Sequence, residues 1–260
     1  LSIAGSDPSG GAGIQADLKS FAANKTFGMS VITALTAQNT MGVQEIYLVP
    51  EDFIESQINS IFQDITVDAV KIGMMANSSI ASIIFKNLRK RNIKNIVIDP
   101  VMVAKGGATL LEKDAIETIR RDLIQIADVL TPNLPEAALL INCDIATTKS
   151  EMLTQGRHLL DLGPKAVYIK GGHLNSKNSP DLLITRNDEI WYEAERIKTI
   201  NTHGTGCTLS SAICANLAHG LDIEIAISNS KQYVTDAIEN ADKLNVGQGH
   251  GPTHHFNNLW

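Results

Sequence analysis

Apolar positions recur along this chain with two spacings. Helical spacing, with apolar residues three and four apart, marks 14–23, 51–63, 78–91, 150–162, 208–217 and 223–243. In 51–63 it is carried by Phe53, Ile54, Ile58, Ile61 and Phe62. Shorter apolar-rich runs at 1–4, 31–38, 69–73, 95–99, 126–130 and 166–170 predict strands. The run at 95–99 is continuously apolar at its centre, Ile96-Val97-Ile98, which suits a parallel sheet covered on both faces. Segment 181–200 alternates apolar and polar residues around Arg186-Asn187-Asp188-Glu189, which predicts an antiparallel hairpin.

Strand and helix signals alternate along the whole length, with no internal repeat and no Pro-, Gly- or Ser-rich linker. The expected architecture is one α/β domain over 1–260, a doubly wound, mostly parallel sheet with helices on both faces and a late antiparallel hairpin. Polar or glycine residues follow nearly every strand. Ligands are therefore expected along the carboxyl edge of the sheet.

Composition narrows the function classes. The chain has 43% hydrophobic and 19% charged residues and a net charge of −6. That balance gives no electrostatic support for nucleic-acid binding. No apolar run approaches the ~20 residues that cross a bilayer. Three scattered cysteines, Cys143, Cys207 and Cys214, do not make a disulfide framework and point to a reducing compartment, by default the cytoplasm. The chain starts at Leu1, inside a predicted strand, so a few preceding residues are expected.

The chemistry concentrates in Asn201-Thr202-His203-Gly204-Thr205-Gly206-Cys207. Two glycines permit a sharp turn just before an apolar helix. The amides of Gly206, Cys207 and Thr208 would then form an anion cradle at a positive helix end. A cysteine there is expected to ionise below the free value of about 8.5 and could serve as a base. The alternative is a small buried hydrophobe.

Other candidates sit at strand ends. The loop Gly5-Ser6-Asp7-Pro8-Ser9-Gly10-Gly11-Ala12-Gly13 is neither a P-loop nor a dinucleotide fingerprint. Asp17 follows in the first helical turns, where an acid also simply favours the helix end. Gln38 closes a strand and could pair with a ring showing the reverse donor–acceptor pattern. Asp99 ends the run at 95–99 ahead of a glycine-rich loop, 104–108, that could form a lid. Asn133 and Glu136 share a helical face after Pro132. They read either as oxygen ligands for hydrated Mg²⁺ or as a capping pair. Lys170 ends a strand beside a Gly pair and could face a phosphate. His254-His255 looks like a metal pair but has no evident third ligand, and reads as a structural or surface feature.

Taken together, GSDPSGGAGIQADLK, TALTAQNT, TPNLPEA, KGGH, NTHGTGCT and the closing GPTHHF resemble the ribokinase-like superfamily over essentially the whole chain. More closely, they resemble its hydroxymethylpyrimidine and phosphomethylpyrimidine kinases. The resemblance implies two ATP- and Mg²⁺-dependent phosphorylations in thiamine biosynthesis. The first acts on 4-amino-5-hydroxymethyl-2-methylpyrimidine and the second on its monophosphate. It implies Gln38, Asp17, Gly5 and Gly11 at the substrate, and Lys170, Thr202 and Lys231 at the nucleotide. It further implies Asn133, Glu136 and Asp99 toward the metal, Cys207 with Gly204 and Gly206 at the reacting centre, and a homodimer. Sugar kinases of this superfamily carry Asp where Cys207 stands. The cysteine form is shared with a group of pyridoxal kinases, which leaves pyridoxal or pyridoxine phosphorylation in vitamin B6 salvage, or dual activity, as the rival reading. A non-catalytic binding protein would have no use for the base.

Overall fold

A computed structural model describes residues 1–103, 107, 110–174 and 178–259. Among these, nine strands form one sheet: β1 Ser2–Ser6, β2 Ser30–Asn39, β3 Gly42–Leu48, β4 Val70–Ile72, β5 Ile96–Ile98, β6 Val129–Leu130, β7 Ala166–Ile169, β8 Asp181–Thr185 and β9 Glu189–Tyr192. Their spatial order is β3-β2-β1-β4-β5-β6-β7-β8-β9. The six consecutive strands β2-β1-β4-β5-β6-β7 are parallel to one another. The expected hairpin β8–β9 extends one edge antiparallel.

The central strands are short, apolar and buried on both faces. In β5, Ile96 and Ile98 face one core while Val97 faces the other. The first core takes helices α2 Glu51–Asp64, α3 Ser78–Lys90, α4 Lys113–Thr118, α5 Leu134–Ile141 and α6 Lys149–Leu160. The second takes α1 Gly13–Ala23, α7 Thr205–Ala218 and α8 Ile223–Glu239. Alternation of side chains along each strand sorts them between these two layers.

Three differences from expectation have physical causes. The antiparallel strand β3 was not anticipated. It is an edge strand with largely exposed side chains, so it has no apolar face to signal it. Helix α7 starts at Thr205, three residues before its apolar run, because its first turn faces a cavity rather than a core. The long predicted helix at 223–243 stops at Glu239 and a 3₁₀ turn, Ala241–Lys243, completes the segment. Of the suggested lid, residues 104–106 and 108–109 lie outside the described residues.

Strand order reverses direction at β1, which has β2 on one side and β4 on the other. Open sheets leave a crevice at such a point, beyond the strand carboxyl ends. The glycine-rich loop between β1 and α1 opens there.

Candidate active site

The crevice is a cavity of about 570 Å³. One wall is the β1–α1 loop. Asp7 organises it: one carboxylate oxygen accepts from the Ser9 amide (2.9 Å) and hydroxyl (2.7 Å), the other from the Ala12 amide (2.8 Å). That second oxygen also pairs with His203 Nε2 at 2.9 Å, which ties this loop to the loop before α7. Burial opposes the Asp7 charge, but His203, Ser9, Gln38 and the Ala12 amide hold its carboxyl well below the usual range.

The facing wall is the first turn of α7. Gly204 caps it at φ +75°, and any Cβ there would collide with the Gly11 carbonyl. Only glycine takes both that backbone and that approach. The Thr208 amide is spent on the Gly204 carbonyl at 2.8 Å. The cradle therefore consists of the Gly206 and Cys207 amides, one donor fewer than expected. Gly206 lets two charged groups come close, since a Cβ there would lie 3.3 Å from Lys170 Nζ and 3.6 Å from Asp99 Oδ2.

The third wall is charged. Lys170 Nζ donates to Asp99 Oδ1 at 2.8 Å and lies 3.9 Å from Glu136. Asn133 and Glu136 form a reciprocal capping box for α5, each side chain accepting from the other's amide at 2.8 Å. The capping reading is thus realised, and Glu136 still lines the cavity. Burial pushes the Glu136 carboxyl up to about 7, against the pull of Lys170 and with Asp99 adding to the rise. Burial works against the Lys170 ammonium, yet Asp99 and Glu136 hold its pKa above the usual range.

A family model described as phosphomethylpyrimidine kinase matches residues 7–254. The chain belongs to the phosphomethylpyrimidine kinase family. It is 49% identical over 260 residues to the hydroxymethylpyrimidine/phosphomethylpyrimidine kinase of Salmonella typhimurium, covering 100% of this chain and 98% of that one. The crystal structure of a Clostridium difficile phosphomethylpyrimidine kinase superposes with a TM-score of 0.82 at 46% identity, over 92% of this chain and 98% of the other. An ADP complex of Bacillus subtilis pyridoxal kinase superposes with a TM-score of 0.91 at 38% identity, over 98% and 96%. The fold is ribokinase-like and the protein is a kinase.

In this kinase the cavity gathers Gly5, Gln38, Asp99, Asn133, Glu136, Lys170, Thr202, Gly204, Gly206 and Cys207 in one place. Three expected residues are not on it. Asp17 is fully buried beneath the floor, bonded to Lys71, Ser2 and Ser211, because a carboxylate on the inner face of α1 must be neutralised locally. Gly11 packs against the His203 ring. Lys231 is drawn to Asp181 at 2.6 Å, which also holds the Tyr168 hydroxyl and the Gly171 amide.

The expected low pKa of Cys207 is also overturned. Burial pushes the thiol up to about 11, although Lys71 pulls the other way. Desolvation outweighs the half-charge of the helix end. Of the two readings of the His pair, the structural one holds and the surface one does not: both rings are buried, and His255 Nε2 lies 3.0 Å from Thr208 Oγ1. Among the described residues no group of three His, Cys, Asp or Glu side chains could hold a metal by itself.

Sequence reasoning missed Asp7, His203 and Lys71. Lys71 had a signal, a lysine inside the apolar run 69–73, where such a residue needs a partner. Asp7 and His203 sit 196 positions apart, and only the fold brings them together.

Proposed function

We propose that this kinase transfers phosphoryl groups from ATP twice. It first phosphorylates the hydroxymethyl of 4-amino-5-hydroxymethyl-2-methylpyrimidine and then converts the monophosphate to the diphosphate, in thiamine biosynthesis. One observation carries the reading: Gln38, Cys207 and Lys170 line a single cavity closed by the amide end of α7. A ring-binding amide, a proton-handling group and a phosphate-binding cation thus face one small space. The names of the relatives, over nearly their full length, support the same substrate.

In this reading the Gln38 amide pairs with the pyrimidine edge, and Thr202 and Lys170 meet the nucleotide phosphates. The Gly206 and Cys207 amides hold the transferring phosphoryl as its charge spreads. Asp99 is committed to Lys170 and keeps that ammonium aimed. Cys207 accepts the hydroxymethyl proton. The donor set also suits hydrated Mg²⁺. Glu136 and Asn133 offer oxygens too few for a complete shell, which fits an ion that keeps its waters and phosphate ligands. When bound, it would neutralise phosphate charge.

In this reading the whole chain acts as one catalytic domain in the cytoplasm, a location its free cysteines support. A second copy covers the exposed apolar side chains of Leu35 on β2, Met41 in the turn after it and Tyr47 on β3, giving a homodimer. The rival substrate is pyridoxal, favoured by the close superposition on pyridoxal kinases. ATP consumption with either compound, with products resolved by mass, separates the two. A pyrimidine monophosphate followed by diphosphate upholds the proposal. Pyridoxal phosphate as the dominant product replaces it with B6 salvage.

A further inference from the structure

Beneath the cavity floor lies an ion pair to which the reaction as described gives no task. Lys71 Nζ donates to both Asp17 oxygens at 2.9 Å, and neither side chain is exposed. Asp17 Oδ2 also accepts from Ser2 Oγ at 2.6 Å, and Oδ1 from Ser211 Oγ at 2.7 Å. Asp17 is therefore fully satisfied. Lys71 has a third ammonium proton with no acceptor among the described residues, and it lines the cavity. Burying two charges is costly, and an apolar pair would serve packing as well.

The pair sits in register with Cys207. Cys207 and Ser211 are four apart on α7 and share a helix face. Gly13 and Asp17 are four apart on α1, which packs against α7. The Ser211 hydroxyl binds Asp17, and the Gly13 amide favours the ionised form of Cys207. Lys71 reaches the same spot from β4, opposite Ser2 in the sheet register. The charged groups around Cys207 are Lys71 from β4, Asp17 from α1, Asp99 after β5 and Lys170 after β7.

We propose that Lys71 and Asp17 are positioning residues for phosphoryl transfer, a buried ion pair that supplies the fixed countercharge against which Cys207 gives up its proton. This rests on the reading of Cys207 as the base. Burial raises the thiol to about 11, and Lys71 is the strongest influence opposing that rise. The thiol first gives its proton to water, and in turnover the resulting thiolate takes the proton of the acceptor hydroxyl. The alcohol oxygen bonds to the γ-phosphorus, and ADP leaves with the electron pair of the broken P–O bond. Asp17 fixes Lys71 and limits its pull, so that the thiol is not ionised permanently.

The test is the pH dependence of Cys207 alkylation by iodoacetamide, located by peptide mass spectrometry. It uses no substrate and a Cys143→Ser background, since Cys143 is exposed and Cys214 buried. Lys71→Met alone strands a buried carboxylate, so the first variant is Lys71→Met/Asp17→Asn, which removes both charges. Its midpoint should rise, because Lys71 opposes the thiol's rise more strongly than Asp17 adds to it, but by less than the roughly one to three units that go with a lone opposite charge. The second variant, Asp17→Asn, leaves the ammonium and removes the anion, so its midpoint should fall. Opposite shifts uphold the inference. Shifts of the same sign, or none, overturn it, since loosened packing would move both variants together. Turnover of the pyrimidine by the unmodified chain is measured alongside. Its absence would sink the kinase substrate reading without touching the alkylation result.

Discussion

At the residue scale, Cys207 separates the two chemical steps. The first acceptor is an alcohol and gains from a base, whereas the second is a phosphate oxygen already ionised at neutral pH. Cys207→Ala should slow the first phosphorylation by about 100- to 10,000-fold, the span of general base catalysis, and the second far less. Equal losses would mean that Cys207 only shapes the cradle. The pH dependence follows from burial. Only the thiolate is a base, and the thiol is raised to about 11. For the first step, kcat/KM should therefore climb from neutrality through the alkaline range and lose that climb in Cys207→Ala. The cysteine and its helix end were legible in NTHGTGC, because glycine spacing and the following apolar run are local signals. Its ionisation was not. That is set first by burial and then by Lys71 and Asp17, which approach from β4 and α1 and are paired only by the fold.

At the element scale, the end of α7 depends on a backbone that only glycine takes easily, and two glycines on this helix separate two costs. Gly204 has φ +75° and abuts the Gly11 carbonyl, while Gly220, beyond the other end, has φ +79° and open space around it. Gly220→Ala should cost only the left-handed conformation, roughly 1–2 kcal/mol, with turnover unchanged. Gly204→Ala adds a collision with backbone, typically a further ~1–3 kcal/mol, and pushes the β1–α1 loop from the cradle. Denaturant unfolding of both variants, with the KM for ATP measured alongside, checks this. Similar losses of stability and an unmoved KM in Gly204→Ala would show that the loop contact is soft. The elements themselves were read well wherever a buried face imposed a period, as in α2 and β5. They were read poorly at β3, whose exposed edge imposes none, and at the first turn of α7, where cavity-facing residues replace apolar ones.

At the scale of the whole molecule, the C-terminal segment joins both halves of the cavity. The His250 amide donates to the Thr40 carbonyl at 2.8 Å, in the turn just beyond Gln38. The Gly251 amide donates to Asn201 at 3.1 Å, the Gly251 carbonyl accepts from His203 at 2.9 Å, and His255 reaches Thr208. GPTHHF was legible as a family feature, but its role as a strap was not, since its partners lie far away in sequence. The strap makes the site acid-sensitive. Burial, with Lys19 and His254 adding to it, lowers His255 from 6.5 to about 3, so the folded protein holds this ring neutral. A depressed histidine contributes stability that is complete above pH 6.5 and is lost as pH falls toward 3. The slope approaches about 1.4 kcal/mol per pH unit in that window. Glu136, raised to about 7, works in the opposite sense, its contribution growing as pH falls through 7. The unmodified protein therefore shows only the net slope, and a difference isolates the histidine. Urea unfolding of the protein and of His255→Gln between pH 7 and 4 should give curves that converge as pH falls, the unmodified protein losing its advantage. Parallel curves would mean that His255 takes up its proton without leaving the strap.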